Sequence, residues 1–153
     1  MNKTLLVVQH TVSPATHALS LALLDGANDP LIEGVDVVVR AALTANALDV
    51  LEADGYLLGS PVNLGYMSGA LKHFFDQIYY PCLDVTRGRP YGVCLHGNND
   101  ATGALRALTI ITTGLQWRAA QAPLIVTGDP GPADLDAAKE LGAAVAAGLA
   151  MDG

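Results

Sequence analysis

The sequence predicts an α/β fold in which a five-stranded parallel sheet lies between two layers of helices. Short apolar runs alternate five times with longer amphipathic or alanine-rich segments. Strands that alternate with helices in this way form parallel sheets covered on both faces. The length of 153 residues suits a single core, and no linker divides the chain. Residues 1–153 are therefore expected to form one three-layer, doubly wound domain.

The first three strands follow from apolar runs bounded by breakers. Residues 4–9 form an apolar first strand. Asp36 and Arg40 place polar groups in the second strand, which indicates a position near an edge of the sheet. The third strand spans residues 56–59 and is expected to break at Ser60-Pro61, because proline removes a ladder donor. A loop over residues 62–66 is expected to follow it.

The remaining elements follow from helical periodicity and from capping signals. A helix opens near Ser68, after which Leu71, Phe74 and Ile78 recur at helical spacing. Pro132 is a favoured first residue for the last helix. The predicted strands are residues 4–9, 35–40, 56–59, 91–95 and 124–126, and the predicted helices are residues 15–27, 44–53, 68 onward, 101–116 and 132–149.

Right-handed crossovers between five such strands fit the sheet order 2-1-3-4-5. In that order the ligand crevice lies where the first and third strands diverge, outside the carboxyl ends of the strands. The loops after the first, third and fourth strands converge at this crevice. These loops are also the most unusual ones in the chain, so the candidate site residues are sought there.

The most specific motif covers residues 59–76 and reads GSPV-x-x-G-x-MSG-x-LK-x-F-x-D. It resembles the flavin loop of the flavodoxin-like superfamily, which includes flavodoxins, NAD(P)H-dependent FMN reductases and flavodoxin-like quinone reductases. The resemblance implies a flavodoxin-like fold and FMN as the cofactor. The alternative interpretation is a structural turn between strand and helix, whose glycines only permit tight chain reversal.

The resemblance places the isoalloxazine ring on the loop after the third strand. The residues concerned are Pro61, Val62, Asn63, Leu64, Gly65 and Tyr66. Backbone N–H groups of residues 63–66 would bond the ring, and Gly65 would allow close approach. Tyr66 would stack on the ring, with Leu64 as the competing apolar cover.

The loop after the first strand is the candidate phosphate site. It resembles the hydroxyl-rich phosphate loop of flavodoxins, with hydroxyls at Thr11, Ser13 and Thr16. Pro14 and Ala15 replace the usual glycine and asparagine and so remove two donors, for which His17 would compensate. A phosphate held here would make FMN bind more tightly than riboflavin. The alternative is an ordinary helix N-cap at Ser13 with proline at the first helical position.

The loop from residue 96 to residue 103 is the third candidate segment. His96, Gly97, Asn98 and Asn99 offer amides and backbone donors that match the pyrimidine end of a flavin. The alternative for the two asparagines is turn chemistry, since Asn tolerates left-handed backbone. The segment contains no aromatic residue. One flavin face would then stay open, which favours a substrate-reducing enzyme over a shielded carrier.

The resemblance implies an FMN-binding redox protein, with NAD(P)H as a candidate electron donor and a small acceptor such as a quinone. The flavin performs the transfer and the protein supplies orientation and electrostatics, so no catalytic side chain is named. A one-electron carrier flavodoxin is the first alternative. A flavodoxin-like interaction module without flavin is the second. A redox partner protein and a homo-oligomer are further expectations.

Composition excludes several other classes. Net charge of −7 with eight Lys and Arg argues against nucleic acid as a partner. The sequence contains no long unbroken apolar run, so no membrane span is predicted. The first apolar run is too short for a signal peptide. A cytoplasmic location is therefore expected. Cys82 and Cys94 are expected to be reduced thiols without a metal-binding spacing. A hydrolase built on Ser60 with His10 or His96, and a zinc site at those histidines, are minor alternatives.

Overall fold

The computed structural model describes residues 1–152 and shows a mainly parallel sheet with helices on both faces. The strands are Lys3–Gln9 (β1), Val35–Ala41 (β2), Gly55–Asn63 (β3), Tyr66–Met67 (β4), Pro90–Gly97 (β5), Arg118–Ala119 (β6) and Leu124–Thr127 (β7). The helices are Pro14–Ala27 (α1), Ala47–Glu52 (α2), Gly69–Cys82 (α3), Thr102–Leu115 (α4) and Pro132–Met151 (α5).

The predicted strand order is confirmed. The sheet runs β2-β1-β3-β5 with parallel neighbours, and β2 lies at the edge as predicted. The fifth position is shared by β6, which pairs with the start of β5, and β7, which pairs with its end. The carboxyl ends of β1, β3, β5 and β7 therefore lie along one edge of the sheet.

The core is divided by the sheet into two layers. Adjacent residues of β1 serve both layers, because successive side chains of a strand point to opposite faces. Leu6 and Val8 pack with α3 and α4 residues such as Phe74 and Leu108, whereas Val7 joins the layer under α1 and α5. Among residues 1–152, no helix has the length and apolar character needed to cross a membrane.

The sequence predicts that the third strand breaks at Ser60-Pro61. In the structure, β3 instead continues to Asn63. The Gly59 carbonyl accepts from His10 N on the β1 side of the strand. Backbone groups alternate between the two sides, so the Pro61 nitrogen also faces β1. However, the β1 ladder ends where Gln9 pairs with Gly59. Pro61 thus faces a local edge and removes no ladder bond.

The predicted loop over residues 62–66 is instead a β-hairpin. Val62 pairs with Met67 and Asn63 pairs with Tyr66, antiparallel. The two connecting residues, Leu64 and Gly65, have φ of 52° and 76°. Positive φ at both central positions is the requirement of a type I′ turn, which matches the twist of the strands it joins.

Two further boundaries differ from the prediction. The second helix begins at Ala47 and not at residue 44, because Asn46 caps it and Asp49 completes a capping box. The predicted fourth strand extends to Gly97, so His96 and Gly97 lie in β5 and not in a loop. The other helix ends differ by about one or two residues, which is the usual uncertainty of such boundaries.

Candidate functional site

A cleft with a volume of about 350 Å³ opens at the carboxyl edge of the sheet. Segments that follow or end β1, β3, β5 and β7 line it. The lining residues are Val12, Ser13, Pro14, Ala15, Pro61, Val62, Asn63, His96, Gly97, Asn98 and Asp129. The volume falls within the range of small-molecule sites, about 300–1,000 Å³. The three segments predicted from the sequence are therefore brought together in one cleft.

The other predicted site residues lie around this cleft and do not line it. Thr11 and Thr16 line a smaller cavity behind the first loop. His17 and Asn99 are exposed. In the hairpin, Leu64 is fully exposed and Tyr66 is 40% exposed, with Gly65 exposed between them. These hairpin residues form an apolar rim next to the cleft.

The first loop is built around the N-terminus of α1. Ser13 is the N-cap, and its hydroxyl oxygen accepts from Thr16 N at 3.1 Å. In return, Thr16 Oγ1 accepts from Ser13 N at 3.0 Å and from Val12 N at 3.1 Å. Pro14 occupies the first helical position. The helix-cap interpretation of Ser13-Pro14 is confirmed.

Thr16 is buried, with 6% of its surface exposed. Both lone pairs of its hydroxyl oxygen are engaged by the two amides, and the hydroxyl lies 3.1 Å from Ser13 O, to which it donates. The predicted role of Thr16 as a phosphate donor stays a prediction, because in this conformation its hydrogen bonds are all internal to the loop.

The hairpin is fixed at its base and at its tip. At the base, the buried Ser60 hydroxyl accepts from Ser68 N at 3.1 Å and donates to Pro61 O at 2.8 Å. Ser68 in turn caps α3. At the tip, the Gly65 carbonyl packs against Gly103 of α4. A Cβ at position 103 would lie 2.6 Å from this carbonyl oxygen, so the contact requires glycine there.

His96 connects the end of β5 to the loop that follows β7. Its Nε2 lies 2.7 Å from Gly128 O, and Gly128 N donates to Gly97 O at 2.9 Å. Gly128 adopts φ of 75° between these two bonds. The loop after β7 is thus fastened to the end of β5, and Asp129 is carried into the cleft.

Asp129 was missed by the sequence analysis. It belongs to the turn-rich stretch from Gly128 to Gly131, which directly follows the fifth predicted strand. The carboxyl ends of all parallel strands share one edge, so this loop belonged with the other three. Asp129 is the one carboxylate among the lining residues, all of which the structure describes, and none of them is a lysine or an arginine.

The surroundings of Cys94 and Asp100, two titratable residues close to the cleft, shift the pKa of each side chain. Burial raises the pKa of the Cys94 thiol to about 12, so this residue of the smaller cavity stays protonated at neutral pH. Hydrogen bonds from the Thr102 hydroxyl and amide lower the pKa of the exposed Asp100 carboxyl. Neither group offers a reactive nucleophile.

The minor alternatives find no support in the geometry. The Ser60 hydroxyl bonds Pro61 O and Ser68, and its hydrogen-bond partners within residues 1–152 include no histidine. Across the same residues, no group of three or more His, Cys, Asp or Glu is placed to hold a metal ion. Trp117 packs in the core against Tyr56, away from the cleft.

Structural comparison finds the same fold in several solved proteins. A flavodoxin from the domain Archaea superposes with a TM-score of 0.81 at 19% identity, over 95% of this chain and 98% of that one. A flavodoxin, WrbA-like protein from Agrobacterium tumefaciens gives 0.74 at 18% identity over 99% of both chains. The flavodiiron protein from Giardia intestinalis gives 0.83 at 16% identity, covering 99% of this chain and 37% of that one. At these identities the likeness establishes the fold.

Sequence comparison identifies the family of the chain in addition to its fold. A flavodoxin from Aquifex aeolicus (strain VF5) is 36% identical over 73 residues, which are 48% of this chain. The chain spans 38% of the length of this curated relative. The profile of the family described as NADPH-dependent FMN reductase matches residues 6–128. The family's flavin agrees with the cofactor predicted from the sequence. The chain therefore belongs to the NADPH-dependent FMN reductase family, within the flavodoxin-like superfamily.

Proposed function

We propose that this protein is an FMN-dependent oxidoreductase that holds its flavin in the cleft at the carboxyl edge of the sheet. One observation carries the proposal. This chain belongs to an FMN reductase family, and the ends of its strands β1, β3, β5 and β7 line a single cleft. In doubly wound sheets, ligands bind at this edge where the strand order reverses.

The ring end of the cleft fits a flavin. Residues 63–66 of the hairpin are all exposed, and Leu64 and Tyr66 offer apolar surface beside the cleft. Asn98 in the cleft and the exposed Asn99 supply amides for the pyrimidine edge. When bound, FMN supplies the electron and hydride chemistry. The residues of this chain bind the ring, orient it and limit the access of water.

The enzyme and carrier alternatives differ in how open the flavin remains. Residues 96–103 contain no aromatic side chain that would cover the second face of the ring. This favours a reductase with NAD(P)H as donor and a small acceptor such as a quinone. A one-electron carrier is the second candidate function, favoured by the flavodoxin among the relatives. A flavin-free interaction module is the third.

The proposal is tested by titrating the purified protein with FMN and by assaying the loaded protein with NADH or NADPH and a quinone. Stoichiometric binding and nucleotide oxidation are expected. Stable semiquinone on photoreduction without nucleotide oxidation would identify a carrier instead. Absence of binding at micromolar FMN would leave the interaction module.

Partners and location remain part of the proposal. A nicotinamide nucleotide or a redox protein is the expected electron donor, and a cytoplasmic location is expected. A groove lined by Lys72, Phe75, Asp76, Tyr79, Tyr80 and Ile111 lies between α3 and α4. Tyr80 is 80% exposed there. Sedimentation analysis of the wild type and of a Tyr80→Ser variant tests the expected homo-oligomer.

A further inference from the structure

We propose that Gly103 of α4 is a positioning residue for the flavin ring, because the tip of the hairpin rests on it. This inference rests on the proposed function and adds a determinant outside the residues that line the cleft. Three features carry it: the contact between the hairpin tip and α4, the firmer anchoring of α4, and the place of the tip beside the cleft.

The tip of the hairpin lies against the first turn of α4. Strand β4 contacts α4 more than any other helix, and Gly103 is the second residue of α4. Gly103 has ordinary helical backbone, which does not by itself require glycine. A Cβ at position 103 would, however, lie 2.6 Å from the Gly65 carbonyl oxygen, a distance that side chains essentially never adopt. Any other residue at position 103 therefore pushes the hairpin and the helix apart.

The helix is anchored more firmly than the hairpin tip. Ala104 and Leu108 of α4 are completely buried in the core. The tip residues 63–66 are all exposed, and the pairing of Val62 with Met67 holds the hairpin at its base. A side chain at position 103 would therefore displace the tip, while α4 and the base of the hairpin stay in place.

The expected displacement is large enough to change flavin binding. A Cβ at position 103 requires a shift of about 0.8 Å, from 2.6 Å to the 3.4 Å at which ordinary van der Waals contact begins. Groups that bind a ligand must be held within about 0.5 Å of their productive positions. The tip carries Leu64, Tyr66 and the amides of residues 63–66, which are the groups proposed to contact the ring. Gly103 thus acts on the flavin through the hairpin.

The test compares Gly103→Ala with Gly148→Ala, which alters an exposed glycine of α5 that has open space where a Cβ would lie. Both changes raise helix propensity, so both apo proteins are expected to melt within about 3 °C of the wild type or above it. Gly103→Ala is expected to bind FMN and riboflavin about tenfold more weakly, by the same factor, because the ring is common to them. Gly148→Ala is expected to bind both flavins as the wild type does.

Hydrogen exchange of the two apo variants locates the displacement without any flavin. In Gly103→Ala the amides of residues 63–67 are expected to exchange faster than in the wild type, because the tip loses its seat on the helix. The amides of residues 106–115 in α4 are expected to keep their wild-type protection, since the core holds this helix. Gly148→Ala is expected to change neither segment.

Three results would overturn the inference and leave the proposed function standing. The first is wild-type affinity for both flavins in Gly103→Ala. The second is a larger fall in its melting temperature with faster exchange throughout α4, since the helix and not the hairpin would then have given way. The third is a loss of affinity for FMN alone, which would assign the effect to the phosphate end. If the wild type binds neither flavin, the inference and the proposed function fail together.

Discussion

At the amino ends of the strands, polar and aromatic groups are buried together and satisfied. Tyr56 stacks on Trp117 with ring centroids 4.1 Å apart, and Trp117 Nε1 donates to the Thr86 hydroxyl at 2.8 Å. Arg89 bonds the last carbonyls of α2 and the Tyr56 hydroxyl. At the carboxyl ends, by contrast, Leu64 is fully exposed with positive φ, and Tyr66 and Val12 are partly exposed beside a cleft.

The difference shows where this fold places stability and where it places binding. A fully satisfied buried network rigidifies the amino end. Apolar side chains that are exposed together beside a cleft mark a candidate binding surface. The two ends can therefore be separated by mutation: changes at the amino end should affect unfolding, and changes at the carboxyl end should affect flavin binding.

The largest expected effect is at Trp117. Trp117→Ala removes a side chain that is 6% exposed and its bond to Thr86, so the free energy of unfolding should fall by about 3–5 kcal/mol. Denaturant unfolding measures the loss. Leu31→Ala, at an apolar residue 90% exposed, should stay within about 0.5 kcal/mol.

Trp117→Phe guards against a variant that does not fold. It should retain flavin affinity and lose about 1 kcal/mol from the missing hydrogen bond. Loss of flavin binding in a stably folded Trp117→Phe protein would contradict the separation of the two ends.

The next effect is alkaline destabilisation. Burial raises the pKa of Cys94 from 9.0 to about 12, so its contribution is fully present below pH 9 and is lost as pH rises towards 12. The unfolded chain ionises first, and stability should fall by about 2 kcal/mol between about pH 8 and about pH 10.5. Thermal unfolding of Cys94→Ala over the same interval should show a much smaller fall.

Tyr56 contributes a weaker alkaline effect at the other end. Burial raises its pKa from 10.0 to about 12, against the opposing hydrogen bond from Arg89. The loss begins near pH 10, where unfolded tyrosine ionises. Tyr56→Phe should therefore reduce the fall in stability above about pH 10 and not below it. An unchanged pH profile in both variants would show that these groups titrate alike in the folded and unfolded chains.

A smaller effect separates binding from strain at Gly65. Gly65 and Gly34 both have positive φ and open space where a Cβ would lie, so alanine at either should cost about 1 kcal/mol of stability. Only Gly65→Ala should also weaken FMN and riboflavin, because it alters the hairpin beside the ring. Melting temperatures and both flavin affinities check this. A Gly65→Ala variant that loses stability but binds both flavins normally would mean that the hairpin only reverses the chain.

The smallest effect concerns Leu64. Asparagine tolerates left-handed backbone better than leucine, so Leu64→Asn should raise the free energy of unfolding by about 0.5–1 kcal/mol. Gln116→Asn relieves a similar φ of 61° at the end of α4 and is the matched control. Flavin affinity should fall in Leu64→Asn alone, since only that variant removes apolar surface at the rim. Equal affinities would exclude Leu64 from flavin binding.

Much of the fold was predictable, because the alternation of apolar runs and helical segments can be recognised in a single sequence. The path of β3 through Pro61 was not, because it depends on where β1 ends on the neighbouring strand. The direction of the Thr16 hydroxyl was not predictable either, since a cap and a phosphate loop use the same residue types. Asp129 was accessible in principle, because it follows a predicted strand at the ligand edge.

Hydrogen exchange of the backbone amides with and without saturating FMN tests the central claim most directly. The account predicts added protection in residues 11–17, 61–66, 96–99 and 128–131, and none around Arg89 and Trp117 at the amino ends. Smaller protection changes are expected at residues 12–16 than at residues 63–66, because the first loop is already bonded internally. Protection centred on the groove between α3 and α4, or at the amino ends of the strands, would contradict it.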